Sequence, residues 1–387
     1  MRSAAIIARH GNGRIALNRA TGLTLQGAPF TQRTPFRVAS ISKLITAWGF
    51  LTLVSENQIR LDEDASTVLR ARLRHPAFPA LPITPRLLLS HRSGLRNGTD
   101  FPVPANERLL DRLIHARDEP GYSGWFGPDT YAPGNWFSYA DINYAVLAQL
   151  IERITDTRFD VFMRDRLFRP LGLQVGYNWS GMDQARRDAA APGARFVNNV
   201  WTGQVDTAIP PAPTPALYLG ENSQPIDPSN LPIGQNGGAF APHGGLRASV
   251  YDLDRLASAL AGRSHLPIAS LQAAATLLTE PAWAFTPAQP NGDTEGGFFL
   301  RFGLGAQLFA GQTANADAFF GPRSANWRGH FGDAYGWLCG LFWNARTGET
   351  LAYALNGMPE TARPAGTRSA LTVTEEAVID LGLQALA

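Results

Sequence analysis

The chain has 387 residues, 44% of them hydrophobic and 17% charged, with a formal net charge of +2 at pH 7. That composition describes an ordinary globular protein with a large core, excludes a disordered or coiled-coil chain, and offers no basic excess for nucleic acid. A lone Cys339 permits no internal disulfide and no C-x-x-C or H-E-x-x-H spacing marks a zinc site, so structural zinc is not expected.

The first segment alternates around "GNG", with "AAIIARH" before it and "RIALNRATGL" after, the pattern of a hairpin closed by an Asn-Gly turn. Its longest apolar run, Ala4 to Ala8, is too short for a signal-peptide core, and no later stretch reaches the length of a membrane span. As written, the chain is expected in the cytoplasm; if an upstream leader was removed, the expectation becomes periplasmic or secreted. From Ser40 onward, Ile41, Leu44, Ile45, Trp48, Leu51 and Val54 recur at three- and four-residue spacing. This predicts a helix buried on most of its circumference, with Ser40 in its first turn.

Between about 60 and 240 the pattern is helical and rich in loops. "ITPRLLLSHRSGL" reads as a short helix closed by a turn at Gly94. "DINYAVLAQLIERITD" reads as an amphipathic helix through Ile142, Val146, Leu147, Leu150, Ile151 and Ile154. Residues 210–232 carry seven prolines and are expected to form a long loop that walls or covers a site, or an ordinary surface excursion. "GGLRASVYDLDRLASALAG" follows as a helix with Asp252 near its start and Gly262 at its end. Two apolar runs joined through "NARTGE" predict a second hairpin, and "TEEAVIDLGLQALA" predicts a closing helix. Strands at both ends with helices between them imply one sheet assembled from the two termini. Residues 1–60 and 245–387 are therefore assigned to a discontinuous α/β sheet domain, and 61–244 to a helical lobe.

One compositional fact points to chemistry. The chain contains 33 arginines and a single lysine, Lys43, in "FRVASISKL". A guanidinium keeps its proton in proteins, whereas a buried lysine can lose one and act as a base. Helix positions three apart share a face, so Lys43 can reach the hydroxyl of Ser40, which becomes the candidate nucleophile. Ser42, next to Lys43, faces away. Two further stretches join the set. In "FSYADINY", Tyr139 precedes Asp141 at a helix start, and a tyrosine beside an ammonium has its phenolate stabilised and can relay a proton. In "GHFGDAYGW", His330, Phe331 and Gly332 begin a strand where a glycine lets a substrate approach the backbone.

Taken in order, Ser40-Ile41-Ser42-Lys43, Tyr139-Ala140-Asp141 and His330-Phe331-Gly332 resemble the S-x-x-K, Y-x-N and K-T-G or H-x-G marks of the serine β-lactamase-like hydrolases. That group includes class C β-lactamases, D-alanyl-D-alanine carboxypeptidases, D-amino-acid amidases and family VIII carboxylesterases. The resemblance covers nearly the whole chain. It implies an α+β fold, an antiparallel sheet flanked by helices with a mostly helical lobe, and a site between them. It also implies that Ser40 attacks a carbonyl, that Lys43 and Tyr139 handle its proton, that the backbone N–H groups of Ser40 and Asp333 form the oxyanion hole, and that no metal or organic cofactor is required. Asp141, His330, Phe331 and Gly332 would contact a small ester, amide or peptide-like substrate.

The pattern departs from the family in three places. Asp141 stands where many members carry asparagine, and its charge is expected to hold Lys43 protonated and shift the base role toward Tyr139. His330 replaces a lysine that grips substrate carboxylates, which moves weight toward esters or amides without a carboxylate. Met1 stands almost at the first strand, where family members usually carry a preceding helix, so the docking partner of the last helix is expected either to be missing or to come from elsewhere. Phe331 and Trp136 are candidates to line an apolar acyl pocket. The leading reading is a serine esterase or amidase. Alternatives are a D-alanyl-D-alanine carboxypeptidase, D-aminopeptidase or β-lactamase, a penicillin-binding sensor that acylates without turnover, and a Ser-His-Asp hydrolase using His330 or His91. The oligomeric state is left open.

If the lone lysine serves chemistry that a guanidinium cannot perform, Lys43→Arg will be nearly as damaging as Lys43→Ala, each costing on the order of a hundredfold or more in ester hydrolysis. A normal rate for the arginine variant would refute that role.

Overall fold

The computed structural model describes residues 1–387 apart from 99–100, 116–123, 205–217, 220–223, 226–229, 264–267, 310–316 and 360–362. Among the described residues, the centre is an eight-stranded antiparallel sheet. In spatial order the strands are Trp283–Ala284, Arg301–Phe302, Gln307–Leu308, Trp327–Ala334, Trp337–Asn344, Thr350–Asn356, Ser3–Arg9 and Ile15–Gly22. The first hairpin therefore lies beside the last strand, with Ser3 opposite Asn356 and Arg9 opposite Thr350. Both predicted hairpins form. A third joins Trp327–Ala334 to Trp337–Asn344 across Tyr335 and Gly336, both at positive φ. His330 consequently sits in the middle of a strand rather than at its beginning. The three short strands between 283 and 308 had no alternating pattern from which to be predicted.

Both faces of the central strands are buried, and residues along each of them alternate between two cores. Ala5, Ile7, Cys339, Leu341, Ala352 and Ala354 face one side, where the Ile41–Ser55 and Val250–Leu260 helices pack. Ile6, Ala8, Leu338, Phe342, Leu351, Tyr353 and Leu355 face the other, under the closing helix Val373–Ala385. That helix begins with a capping box between Thr372 and Glu375, and Gly382 lets it lie close to Leu351 and Ile6. Its docking surface is thus the sheet itself. The Val250–Leu260 helix likewise starts with a capping box, Ser249 with Asp252, and Gly262 ends it at φ +75°.

The Ile41–Ser55 helix is the structural axis: every residue from Ile41 to Leu53 is buried. Its polar members are satisfied internally. Ser42 Oγ accepts from Leu246 N at 3.1 Å, and Thr46 Oγ1 donates to Pro242 O at 2.7 Å. The Pro85–Leu89 helix is capped by Thr84 and followed by the turn at Gly94. The Ile142–Thr155 helix departs from its amphipathic expectation, because Ile142 through Glu152 are all buried. Its polar side chains bind other segments: Gln149 Oε1 accepts from Gly237 N at 2.7 Å, and Glu152 accepts from Phe159 N and Gly234 N. Most of the proline-rich 210–232 stretch lies outside the described residues; within it the pair Tyr218–Leu219 and Gln224–Pro225 is described. No helix among the described residues is long and apolar enough to cross a membrane.

Gly332 faces the first core, and a Cβ there would lie 2.4 Å from Val38 O and 2.7 Å from Cys339 Sγ. The glycine is needed less for substrate approach than for bringing this strand against the segment that leads into Ser40. Gly332→Ala should destabilise the fold by about 1–3 kcal/mol, since a backbone carbonyl cannot yield as a side chain can. Denaturant unfolding checks this, and an unchanged midpoint would contradict the close approach.

Candidate active site

Ser40 follows Ala39, whose φ of +48° turns the chain from the Phe36–Arg37 strand into the central helix. Ser40 is the N-cap of that helix, but its side chain makes no capping bond. The hydroxyl is free for another use: Lys43 Nζ donates to Ser40 Oγ at 3.0 Å. The same ammonium donates to His243 O at 3.1 Å and pairs with Asp141 Oδ1 at 2.6 Å. Three N–H donors meet three acceptors drawn from three separate parts of the chain, and the lysine side chain is 0% exposed. Nζ also lies 4.7 Å from the centre of the Tyr139 ring. The expected meeting of Ser40, Lys43, Tyr139 and Asp141 is observed.

Asp141 is the N-cap of the Ile142–Thr155 helix, and it too makes no side-chain cap. Asn97 takes over that function. Its Oδ1 accepts from Ile142 N at 3.1 Å while its Nδ2 donates to Asp141 Oδ2 at 3.1 Å. The carboxylate is thereby held with one oxygen on Lys43 and the other on Asn97. Burial works against its charge, but Lys43 and His243 outweigh it and hold Asp141 well below the usual carboxylate range.

For Lys43 the balance goes the other way. Burial lowers its pKa more than Asp141 raises it, so this lysine yields its proton more readily than an exposed one. Asp141 thus opposes the release of that proton but does not outweigh burial. The expectation for Tyr139 is corrected. Burial, reinforced by Asp141, pushes its pKa well above the ordinary value, and the opposing effect of Ser40 is smaller. Tyr139 is a phenol at neutral pH, not a stabilised phenolate. Its hydroxyl has no aligned hydrogen-bond partner among the described residues, although it is near enough to Ser40 to be affected by it.

His330 is buried, and burial followed by the charge of Lys43 lowers its pKa to about 3, so the ring is neutral at pH 7. Its Nδ1 lies 2.6 Å from Phe331 O and therefore carries the proton, which leaves Nε2 as the lone-pair atom. His91 lies against Tyr139 with ring centres 4.4 Å apart and the rings tilted by 32°, and its Nδ1 accepts from Ala140 N at 3.1 Å. These histidines shape the surroundings of Tyr139, and Ser40 takes its hydrogen bond from lysine rather than from an imidazole.

Two clefts meet at Ser40. One, of about 280 Å³, is lined by Arg37, Phe101, His243 and Tyr335. The other, of about 440 Å³, is lined by Tyr139, Glu295, Phe298, Phe299, His330 and Phe331. Asp333 borders both. Phe331 N donates to Gln307 Oε1 at 3.2 Å. Successive N–H groups of a strand point to opposite edges, so the Asp333 N–H leaves by the same edge as that of Phe331. The neighbouring Gln307–Leu308 strand pairs only with Gly329 and Arg328 there. The Asp333 side chain is tied to Arg363. Trp136, in contrast, lines neither cleft and stacks on Tyr131 with centres 4.5 Å apart.

Sequence reasoning missed Asn97, the His243 carbonyl, Glu295 and the Phe298-Phe299 pair. Phe299 stacks on Tyr139 at 4.6 Å. An asparagine and a backbone oxygen carry no motif of their own, whereas "EGGFF" offered a glycine turn beside two aromatics that could have been weighed.

A family model described as Beta-lactamase matches residues 1–374. The chain belongs to the Beta-lactamase family. Within it, the chain is 32% identical over 157 residues to penicillin-binding protein 4 of Amycolatopsis lactamdurans, covering 41% of this chain and 38% of that protein. It is 29% identical over 188 residues to esterase EstB of Burkholderia gladioli, covering 44% and 45%. The chain thus spans less than half the length of these curated relatives. Among solved structures, a penicillin-binding protein homologue from Pyrococcus abyssi matches with a TM-score of 0.67 at 17% identity, covering 99% of this chain and 73% of that one. A class C beta-lactamase variant matches with a TM-score of 0.68 at 14% identity, covering 100% and 92%. These likenesses show the α+β fold that the three motifs implied.

Because Asp141 holds the Lys43 pKa up, Asp141→Asn should move the rising limb of the pH-rate profile for ester hydrolysis to lower pH. An unmoved limb, or one displaced upward, would contradict the coupling.

Proposed function

We propose that the protein is a serine hydrolase that acts through an acyl-enzyme on Ser40, with small esters or amides lacking a carboxylate as its substrates. The observation that carries this reading is the 3.0 Å contact from the fully buried Lys43 Nζ to Ser40 Oγ. In this scheme the neutral form of Lys43 takes the Ser40 proton as Oγ attacks the carbonyl carbon. Tyr139, kept protonated by burial, gives its hydroxyl proton to the departing oxygen or nitrogen and is reprotonated from Lys43. The leaving group thus departs with the proton that Ser40 lost. Water then repeats the sequence in reverse and frees the acid.

The N–H groups of Ser40 and Asp333 are the proposed oxyanion donors. Ser40 begins a 15-residue helix whose positive end also favours the developing charge. The Asp333 N–H leaves the edge of its strand where pairing has ended, and the residue borders both clefts. Of the family's named activities, esterase and amidase fit this chain better than carboxypeptidase. His330 is neutral, and Arg363, the cation on the wall of the aromatic cleft, is paired with Asp333. Relatives include a D-aminopeptidase of Brucella anthropi and a carboxypeptidase/endopeptidase of Escherichia coli, at 26% and 24% identity.

Incubation with p-nitrophenyl acetate tests the reading. Wild type should release p-nitrophenol over many turnovers and Ser40→Ala should release almost none, while intact-mass measurement finds a transient acetyl adduct on wild type alone. Full activity in Ser40→Ala would overturn the nucleophile, and a lasting adduct without turnover would favour the sensor alternative.

A further inference from the structure

Each carboxylate of the site except one is engaged. Asp141 is held by Lys43 and Asn97, Asp333 by Arg363, and Glu375 by Thr372 and the Tyr353 hydroxyl. Glu295 lines the aromatic cleft beside Ser40 and Tyr139, and no hydrogen bond or ion pair with a described residue engages its carboxylate. Its backbone is unusual as well: φ is +47°, a left-handed conformation that disfavours a residue with a Cβ.

The surrounding segment is built to hold it. Phe137 N donates to Asn291 O at 3.0 Å and Asp293 N donates back to Phe137 O at 2.9 Å, which ties the segment to the stretch that leads into Tyr139. Phe299 N donates to Thr294 O at 2.9 Å, closing the turn around Glu295, and Phe299 then stacks on Tyr139. Glu295 is thereby carried on a segment fastened beside Tyr139, where it stands exposed on the wall of the cleft. Partial burial pushes its pKa up, with Lys43 opposing.

We propose that Glu295 is the counter-ion for an ammonium group on the substrate, so that the aromatic cleft selects amino-bearing esters or amides with an apolar side chain. Phe298, Phe299 and Phe331 line the cleft and supply the apolar contact, and the neutral His330 adds no competing positive charge. This deepens the hydrolase reading and rests on it for turnover, whereas the recognition of an ammonium does not depend on catalysis.

The test uses two measurements on the full chain. Hydrolysis of the methyl esters of D- and L-phenylalanine is compared with that of methyl 3-phenylpropanoate, which lacks the amine, at about pH 6.5 where the amine is charged. In Glu295→Gln the ratio of kcat/KM for the amino ester over the amine-free ester should fall at least about tenfold, through KM, and Glu295→Asp should retain part of the preference. An unchanged ratio, including equal losses on both esters through kcat, would overturn the proposal. In the second measurement, calorimetry follows β-phenethylamine and 2-phenylethanol binding to Ser40→Ala and to Ser40→Ala with Glu295→Gln. The second substitution should weaken the amine about tenfold and leave the alcohol alone; equal amine binding, or none, would overturn it. Should wild type turn over neither ester while the amine difference persists, the hydrolase reading fails and the ammonium site stands.

Discussion

A fully buried ammonium must find an acceptor for each of its donors, and Lys43 finds its three on segments that are far apart in the chain. Ser40, Asp141 and His243 belong respectively to the start of the central helix, the start of a second helix and the segment leading into the Leu246–Ala248 strand. The requirement to satisfy one charge therefore fixes how these segments meet. Tightly packed glycines make the meeting possible: Gly332 lets its strand touch Val38, and Gly237 lies against the backbone of Ala145 and Gln149. Removing any acceptor would leave an unpaired donor in a low-dielectric interior, which is costly in itself.

The same arrangement frees two side chains that their positions would normally engage. Ser40 and Asp141 are both helix N-caps, where a serine or aspartate usually accepts a backbone N–H from the first turn. Neither does so here. Lys43 claims the Ser40 hydroxyl, while Asn97 supplies the second helix with the bond that Asp141 withholds. Local stability is given up at two helix ends in favour of a preorganised group of polar atoms. Burial then shifts the protonation of that group, lowering the pKa of Lys43 and raising that of Tyr139.

Much of this was legible in the sequence, for identifiable reasons. The hairpins, the central helix and the closing helix follow from alternation, three- and four-residue spacing and capping residues, which are local signals. The singular Lys43 pointed to Ser40 because helix geometry is local too. What escaped notice depended on the tertiary fold. The Ile142–Thr155 helix looked amphipathic because Gln149 and Glu152 are polar, yet both are buried by bonds to residues 234–237. Tyr139 was assigned a stabilised phenolate by considering the nearby ammonium alone. The competing effects of burial and of Asp141 became apparent only with the side chains in place. Acceptors such as the His243 carbonyl have no residue-type signature at all.

Burial makes the proton of the one lysine in this chain easier to release despite its aspartate neighbour. Since there is a single lysine, labelling with lysine carrying ¹³C at Cε gives one side-chain resonance, whose chemical shift can be followed as a function of pH. The expected titration midpoint lies below the 10.5 of an unperturbed lysine and falls further in Asp141→Asn. A midpoint at or above that value would mean that the ion pair dominates burial, and would contradict Lys43 as the base.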